Sequence, residues 1–171
     1  MTKPTVTIRD YNPKWVEKFT KERNRIIEVL GDKVVAMEHI GSTSVKGLAA
    51  KPIIDILVGI QKLDEVDQLV NPLKEIEYEY VLKPELKNRK FFRKGEWGKG
   101  TSHLHICEYD SREWIEKILF RDYLRLHPKA AQEYEVLKKS LASAYKHDRQ
   151  TYTNKKEPFI KNIVERAKKE R

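Results

Sequence analysis

A nearly unbroken apolar run, PIIDILVGI, extends from Pro52 to Ile60 and constrains the fold more than any other segment. Its length and its content of Ile and Val are typical of a strand that is covered on both faces. Asp55 lies in the middle of this run. Because even an uncharged polar group costs roughly 2 to 7 kcal/mol to bury without a partner, Asp55 requires a cation, a metal ion or several hydrogen-bond donors beside it. The plainer alternative is a carboxylate that caps a loop or pairs with Lys51.

A Gly-Ser turn, Gly41 to Ser44, stands shortly before this run and directly after a segment that reads as a strand, Val34 to Ile40. A glycine at that point lets backbone amides approach a ligand with no Cβ in the way, and three hydroxyls follow it as further donors. Such a turn can bind phosphate oxygens, although Gly and Ser clusters also form ordinary turns. Together with Asp55, the turn predicts a phosphate cradle that faces a metal ligand.

Four blocks of sequence are together specific enough to resemble a known family. They are HIGSTSV from His39, AKPIID from Ala50, HLH from His103 and FRDYLRLHP from Phe120. In this order they resemble the blocks of the GrpB family, over about Tyr11 to Ala167. The strand, the Gly-Ser turn and the strand with an aspartate also resemble the looser signature of the nucleotidyltransferase superfamily, which has the fold of DNA polymerase beta and the antibiotic-adenylylating enzymes.

The resemblance also implies an association with coenzyme A metabolism, because some GrpB members are fused to or associated with dephospho-CoA kinase. The sequence contains no P-loop of the GxxxxGK[ST] type, so a dephospho-CoA kinase activity of its own is not expected.

The chain departs from both patterns at positions that matter for chemistry. The superfamily places two carboxylates two residues apart on one strand face, where they hold a divalent metal. Ile53 and Leu57 occupy those positions on either side of Asp55, which argues against ordinary two-metal nucleotidyl transfer. Lys46 stands where the GrpB pattern usually has proline, and Ser102 where it usually has another histidine.

Two histidines offer a replacement for the missing carboxylate. In the segment Ser102 to Glu108, period-two alternation places His103 and His105 on one strand face. If this strand lies beside the strand of Asp55, the three residues form a set of two histidines and one carboxylate that can bind one metal ion. The alternative is that the histidines hydrogen-bond phosphate or backbone without a metal. His39, just before the turn, is a further candidate.

Basic residues supply the remaining candidates. Arg93 shares a short predicted strand with two phenylalanines, and its guanidinium fork suits a phosphate. Arg121 lies on a predicted helix, where the alternative is a surface ion-pair network. Lys155, with Tyr152 and Lys156, could close over phosphates, although a solvent-facing helix cap has the same composition.

Composition excludes several classes of protein. A chain of 171 residues with a net charge of +9 predicts one domain over residues 1–171 with an anionic partner. The one cysteine, Cys107, excludes an internal disulfide framework, and the first ten residues contain no apolar stretch of signal-peptide length, so a cytoplasmic location is expected. No apolar run reaches the length of a membrane span.

Periodicity predicts an α+β fold, namely a nucleotidyltransferase-like mixed sheet of about five strands flanked by helices, with a helical C-terminal third. Strands are expected at about 34–40, 52–60, 78–82, 89–94 and 102–108. Helices are expected from Asn12-Pro13 to Gly31, at about 63–76 with a disturbance at Pro72, from Ser111 to Pro128, at about 129–146 and at about 155–169.

The sequence thus predicts a nucleotidyltransferase-like protein that binds a nucleotide or another phosphorylated small molecule, with metal-dependent nucleotidyl or phosphoryl transfer as its candidate reaction. The expected roles are phosphate binding by Gly41, Ser42, Ser44, Arg121 and Lys155, metal binding by Asp55, His103 and His105, and catalysis by Asp55 with Lys51 and Arg93. Mg²⁺ is the first expectation, with Zn²⁺ or Mn²⁺ as alternatives, and no organic cofactor is evident.

Two rival hypotheses remain open. Leu57 favours a non-catalytic phosphometabolite-binding or adaptor module of the same fold. The basic charge favours a nucleic-acid binder, but the sequence contains no recognised RNA- or DNA-binding module.

Overall fold

The structure is a computed structural model that describes residues 6–95 and 101–170. The strands are β1 (Ala36–Ile40), β2 (Ile54–Ile60), β3 (Tyr78–Val81), β4 (Lys90–Lys94) and β5 (Ser102–Glu108). The helices are α1 (Lys14–Leu30), α2 (Val70–Glu75), α3 (Arg112–Leu126), α4 (Pro128–Ala144) and α5 (Arg149–Lys169), and short 3₁₀ segments cover Gly31–Lys33, Ser42–Ser44 and Leu63–Gln68. The five strands form one mixed sheet in the order β1-β2-β5-β4-β3, which confirms the predicted α+β fold.

Two helices differ from their predicted extents. The helix expected over about 63–76 is a 3₁₀ segment followed by the short α2. Pro72 lies in the first turn of α2, where its missing amide interrupts no helical hydrogen bond. The last helix begins at Arg149 because the side chain of Asp148 accepts a hydrogen bond of 3.1 Å from the Thr151 amide. This cap extends α5 by about a turn and a half beyond the predicted start.

The sheet has an apolar core on each face, as the continuous apolar character of β2 requires. On one face, Ile56 and Leu104 pack with Leu73 of α2 and with residues of α1. On the other face, Leu57 and Cys107 belong to a cluster with Trp114 of α3. Asp55, two residues before Leu57, lies on this second face because side chains alternate along a strand.

The register of the central strands brings the predicted site residues together. β2 and β5 are parallel neighbours, with Asp55 opposite His103 and Leu57 opposite His105. β1 pairs with β2 antiparallel, and Ile40 stands opposite Asp55, so the Gly-Ser turn leaves the sheet beside the carboxylate. The expectation that the two-histidine strand lies beside the Asp55 strand is confirmed.

The helical C-terminal third covers this region of the sheet. α3, α4 and α5 share a core cluster that includes Tyr123, Tyr134 and Ile163, and Val45 and Leu48 from the loop between β1 and β2 pack into it. Among the helices of the described ranges, none combines the length and the apolar character needed to cross a membrane.

Candidate functional site

A cavity of about 800 Å³ lies over the second face of the sheet, between the Gly-Ser turn and helices α3, α4 and α5. Asp55, His103, His105 and Phe91 line it from the sheet and are called here the floor. The side chain of Asp55 is 30% exposed, so its carboxylate reaches the cavity from an otherwise apolar strand. Three of the residues that the sequence predicted for a site therefore meet on one surface.

The side chains of the floor contact one another through one carboxylate oxygen and one aromatic ring. Oδ1 of Asp55 lies 3.7 Å from Nδ1 of His103 and 3.5 Å from Nε2 of His105. The ring of Phe91 packs against both imidazoles, with centroids 5.0 Å from His103 and 5.2 Å from His105. Nδ1 of His105 is buried and has no hydrogen-bond partner in the described part of the chain.

The pKa values of the floor residues determine which of them are charged at neutral pH. Burial lowers the pKa of His105 to about 4 and lowers the pKa of His103, against the opposing influence of the Asp55 charge. Burial works against ionisation of Asp55, but the hydrogen bond from His105, the two imidazoles and Lys51 outweigh it and hold its pKa well below its usual range. At neutral pH the floor therefore presents one carboxylate and two uncharged imidazoles.

Gly41 is required by the position of Asp55. Its backbone has φ 74° and ψ −177°, a region that essentially only glycine adopts. A Cβ at this position would lie 2.6 Å from Oδ2 of Asp55. The missing side chain thus makes room for the carboxylate of the next strand, in addition to any ligand.

The three hydroxyls of the turn point in different directions. Ser44 donates a hydrogen bond of 2.5 Å from Oγ to the carbonyl of Gly41 and faces a separate surface groove. Thr43 shares a hydrogen bond of 2.9 Å with Nε2 of His39. Ser42 lines the cavity near the phenol of Tyr134. Thr43 also lines the cavity, but its hydroxyl is bonded to His39, so Ser42 is the hydroxyl placed to meet a ligand there.

Two arginines of α3 hold the turn from the side away from the cavity. Arg121 is buried. Its Nη1 donates hydrogen bonds to Oε2 of Glu38 at 2.8 Å and to the carbonyl of His39 at 3.2 Å. Its Nη2 forms a salt bridge of 2.9 Å with Asp122. Arg125 donates from Nε and Nη2 to the carbonyl of Ser44, at 3.0 and 2.9 Å. These bonds fix the backbone of the turn, so the structure places Arg121 in a supporting position.

His39 also lies outside the cavity. Its ring stacks on Phe19 of α1, with centroids 4.7 Å apart and planes 8° apart. Burial lowers its pKa to about 4, with Asp55 opposing and Arg125 and Arg121 adding to the effect. His39 is therefore a neutral packing residue that fixes Thr43.

Three lysines, Lys51, Lys138 and Lys156, also line the cavity and are called here the lysine cluster. The Nζ atoms of Lys51 and Lys156 lie 5.2 and 4.7 Å from the ring centre of Tyr152, and that of Lys138 lies 5.0 Å from the ring centre of Tyr134. Burial and the neighbouring lysines together lower the pKa of Lys138 to about 7 and that of Lys156 to about 8. Burial also lowers the pKa of Lys51.

Sequence reasoning named Lys51 and missed Lys138. A signal was present: Tyr134, Lys138 and Ala142 recur at a spacing of four residues on the buried face of α4, and a lysine within such a stripe must be held by tertiary contacts. Its ammonium group donates to the carbonyl of Ala49, which fixes it at the cavity wall.

The predicted phosphate ligand Lys155 and the predicted catalytic residue Arg93 are not among the residues that line the cavity. Lys155 is exposed on α5, and its neighbour Lys156 lines the cavity instead. Arg93 stands opposite His103 in the pairing of β4 with β5, and its Nε is buried without a partner among the described residues. At that side of the cavity the lining cations are Lys83 and Arg89.

A second group of cations lies at the edge near α3. Arg89 and Lys117 share one carboxylate, Glu113, at 2.5 and 3.6 Å. Lys83 lies over the ring of Phe91, with Nζ 4.4 Å from its centre. This edge therefore also carries more positive than negative charge.

The donor set does not fit a two-metal centre. Leu57, where the second carboxylate is needed, is fully buried in the cluster with Trp114. Across residues 6–95 and 101–170, no group of three or more His, Cys, Asp or Glu side chains is arranged to hold a metal ion. The lysine cluster also places positive charge around Asp55, which disfavours a second cation there. Binding of a single divalent ion by Asp55, His103 and His105 stays a prediction.

Comparisons with known proteins agree on one family. A family model described as GrpB protein matches residues 5–166. The UPF0157 protein YqkA of Bacillus subtilis is 40% identical over 167 residues, which are 98% of this chain and 48% of YqkA. The glutamate-rich protein GrpB of Alkalihalophilus pseudofirmus is 38% identical over 168 residues, which are 96% of this chain and 97% of that protein. The chain thus spans about half the length of the first relative and nearly all of the second.

A more distant match is to a dephospho-CoA kinase, the enzyme with which the family resemblance associates this chain. A dephospho-CoA kinase of Mycolicibacterium paratuberculosis is 25% identical over 182 residues, which are 91% of this chain and 44% of that protein.

Among solved structures, the conserved protein GrpB from Enterococcus faecalis has a TM-score of 0.88 and 41% identity, covering 96% of this chain and 98% of that one. The Cid1 poly(U) polymerase, with Mg and 3′-dATP bound, has a TM-score of 0.55 and 12% identity, covering 80% and 43%. The last similarity concerns the fold alone, which is nucleotidyltransferase-like.

Proposed function

This chain belongs to the GrpB family, and from that premise we propose that it binds a nucleotide or another phosphorylated small molecule in the cavity over Asp55. The observation that carries the proposal is the unbalanced positive charge of the lysine cluster. None of its three ammonium groups forms a salt bridge with a carboxylate in the described part of the chain. Buried charges are normally paired, so an anionic ligand is the partner that this wall lacks.

The size and lining of the cavity support a ligand of nucleotide size. Its volume of about 800 Å³ lies within the range of roughly 300 to 1,000 Å³ that is usual for small-molecule sites. Phe120 and Ile160 line it beside the charged groups and offer apolar surface for a base or another organic moiety. Ser42 adds a hydroxyl donor close to the floor.

The chemistry available to a bound phosphate is positioning and charge stabilisation. Phosphoryl and nucleotidyl transfer depend mainly on these two contributions. In this proposal the turn that Arg121 and Arg125 hold provides a rigid edge, and the lysine cluster neutralises the phosphate oxygens. Asp55 is ionised and accepts a hydrogen bond from a ligand hydroxyl instead of contacting phosphate.

Leu57 favours a second candidate, a binding module without transferase activity. Its side chain is fully buried where the superfamily pattern has a metal-binding carboxylate. The two candidates differ in one readout. A nucleotidyltransferase passes the nucleoside monophosphate of a bound triphosphate to an acceptor hydroxyl and releases pyrophosphate, a phosphotransferase passes the γ-phosphoryl group to an acceptor and releases the nucleoside diphosphate, and a binding module does neither. Phosphorus NMR of the protein with ATP and Mg²⁺ separates them.

Binding itself is tested by thermal and calorimetric titration with ATP, GTP, CTP, UTP and dephospho-CoA, each with and without Mg²⁺. A ligand present at about 100 times its Kd is expected to stabilise the fold by about 2.7 kcal/mol. Lys156→Met is expected to weaken binding about tenfold or more, because it removes one ammonium group from the cavity. Lys155→Met removes the same charge from the exposed side of α5 and is the matched control. No stabilisation by any of the five compounds under either condition would overturn the proposal.

A further inference from the structure

Tyr152 is completely buried, and its hydroxyl has no hydrogen-bond partner in the described part of the chain, although the residue lines the cavity. A buried hydroxyl without a partner costs roughly 1 to 3 kcal/mol. The two ammonium groups of Lys51 and Lys156 lie over the ring of the same residue. One unsatisfied donor and two cations therefore surround the same aromatic ring, and the described residues supply no acceptor for that donor.

The positive charge of the lysine cluster is only partly balanced by nearby carboxylates. Asp55 acts on Lys51 and Lys156, Glu157 acts on Lys156, and Glu135 acts on Lys138. Two of these carboxylates are already engaged: Oδ1 of Asp55 faces two histidines, and Glu135 accepts a hydrogen bond from the Ala49 amide. Lys138 is 2% exposed and donates one hydrogen bond, to the carbonyl of Ala49. An ammonium group carries three N–H donors, so two remain. The tyrosine rings stabilise the cations less than a carboxylate would.

We propose that the lysine cluster and Tyr152 form a subsite for a diphosphate or triphosphate group, in which the three ammonium groups take the place of the divalent cations of a two-metal site. The Nζ atoms of Lys51, Lys138 and Lys156 bind phosphate oxygens, and the hydroxyl of Tyr152 donates one further hydrogen bond to the ligand. Binding in this subsite does not require a divalent metal ion. This inference rests on the proposed function and gives it a substrate class, a di- or triphosphate that is recognised without a metal.

The position of Leu57 supports this assignment independently of the lysines. A cation that bridges a phosphate and the sheet needs carboxylates on the strand, and an apolar side chain fills the position of the second one. In a buried site a bound phosphate has to be neutralised by another source of charge. The lysine cluster is a source of that charge in the same cavity, and unlike Arg89 and Lys117, which share Glu113, its ammonium groups form no salt bridge in the described part of the chain.

Protonation gives the subsite a measurable signature. Burial lowers the pKa of Lys138 to about 7 and that of Lys156 to about 8. A bound anion favours the charged form and raises both values, so binding at pH 8 takes up protons from the buffer. Calorimetry of ATP binding in buffers that differ in ionisation enthalpy is expected to report an uptake of about one proton.

The deciding experiment is calorimetric titration with ATP and with pyrophosphate in excess EDTA and in excess Mg²⁺. The expected affinities in the two conditions agree within about threefold. Tyr152→Phe removes one hydroxyl and keeps the ring; it is expected to weaken binding about five- to tenfold while leaving the thermal stability of the free protein unchanged or higher. Lys156→Met is expected to lose affinity and part of the proton uptake, whereas Lys155→Met retains both.

Binding that disappears on chelation would overturn the inference and leave the proposed function standing. Unchanged affinity in Tyr152→Phe would also overturn it. Failure of ATP and pyrophosphate to bind in either condition, together with failure of every other nucleotide, would remove the proposed function itself.

Discussion

Gly41 and Asp55 are in direct contact, and a Cβ on the glycine would lie 2.6 Å from Oδ2 of the carboxylate. The turn and the strand that the sequence presents as two separate signals are therefore one structural unit. Asp55 occupies the space that the glycine leaves, and Ser42 follows directly at the cavity. A change at either residue is expected to disturb the other.

Gly41→Ala is expected to lower the free energy of unfolding by about 2 to 4 kcal/mol, because it combines a disfavoured backbone conformation with a clash against Asp55. Gly47→Ala is the matched control: Gly47 also has a positive φ, 85°, but a Cβ there meets no atom within 4 Å. That variant is expected to lose only about 1 kcal/mol, from backbone strain. Urea unfolding measures both, and equal losses would contradict the role assigned to Asp55.

Leu57→Asp restores the carboxylate that the superfamily pattern requires. The side chain is fully buried against Trp114 and Cys107, so the variant is expected to lose at least about 3 kcal/mol of stability and to bind no Mg²⁺. Leu57→Met keeps the position apolar and is expected to cost less than about 1.5 kcal/mol. A stable Leu57→Asp protein that gains Mg²⁺-dependent nucleotide binding would show that the position still belongs to a metal site.

The floor could be predicted from sequence because local patterns determine it. An apolar strand with one aspartate and a strand with alternating histidines are both periodic signals, and parallel pairing then places Asp55 opposite His103. The resemblance to the nucleotidyltransferase superfamily implies that the two strands are neighbours, and the structure shows that they are parallel. Asp55 and the two histidines can thus be predicted as site residues without knowledge of the tertiary contacts.

The lysine cluster could not be predicted in the same way, because it depends on how α4 and α5 pack. Adjacent residues on a helix are about 100° apart around its axis, so Lys155 and Lys156 point to different surroundings. The Asp148 cap, which the sequence reasoning missed, sets where α5 begins. Lys138 comes from a separate helix, and only the tertiary fold brings it to the same wall.

Arg121→Met is expected to lower the free energy of unfolding by about 1 to 3 kcal/mol. The change removes its bonds to Glu38 and to the carbonyl of His39, but both carboxylate partners of Arg121 are nearly half exposed and regain water. Arg112→Met serves as the control, because that side chain is 85% exposed and pairs with Glu116 on the surface; it is expected to cost no more than about 0.5 kcal/mol. Chemical denaturation that finds Arg121→Met as stable as the wild type would contradict a supporting role for this residue.

Acidification is expected to destabilise the protein through His39. Burial lowers its folded-state pKa from 6.5 to about 4, so the unfolded chain binds more protons than the folded protein between these values. The contribution of His39 to stability is therefore fully present above pH 6.5. It is lost as the pH drops toward 4, which lowers the free energy of unfolding by about 2 to 3 kcal/mol. His39→Phe keeps the stacking on Phe19 and is expected to remove that share of the pH dependence. An identical slope in the variant, measured by urea unfolding from pH 7 to pH 4, would show that His39 does not cause it.

The most direct test of the account is a map of amide chemical shifts in ¹H–¹⁵N spectra during a titration with ATP in excess EDTA. Residues of the cavity are expected to shift with one saturating dependence on ATP, including Ser42, Lys51, Tyr152 and Lys156. Lys46 and Gly47, which line the separate groove behind the turn, are expected to stay unchanged. Shifts confined to that groove or to exposed basic residues, or an unchanged spectrum at saturating ATP, would contradict the claim that the cavity over Asp55 binds phosphate through its lysines.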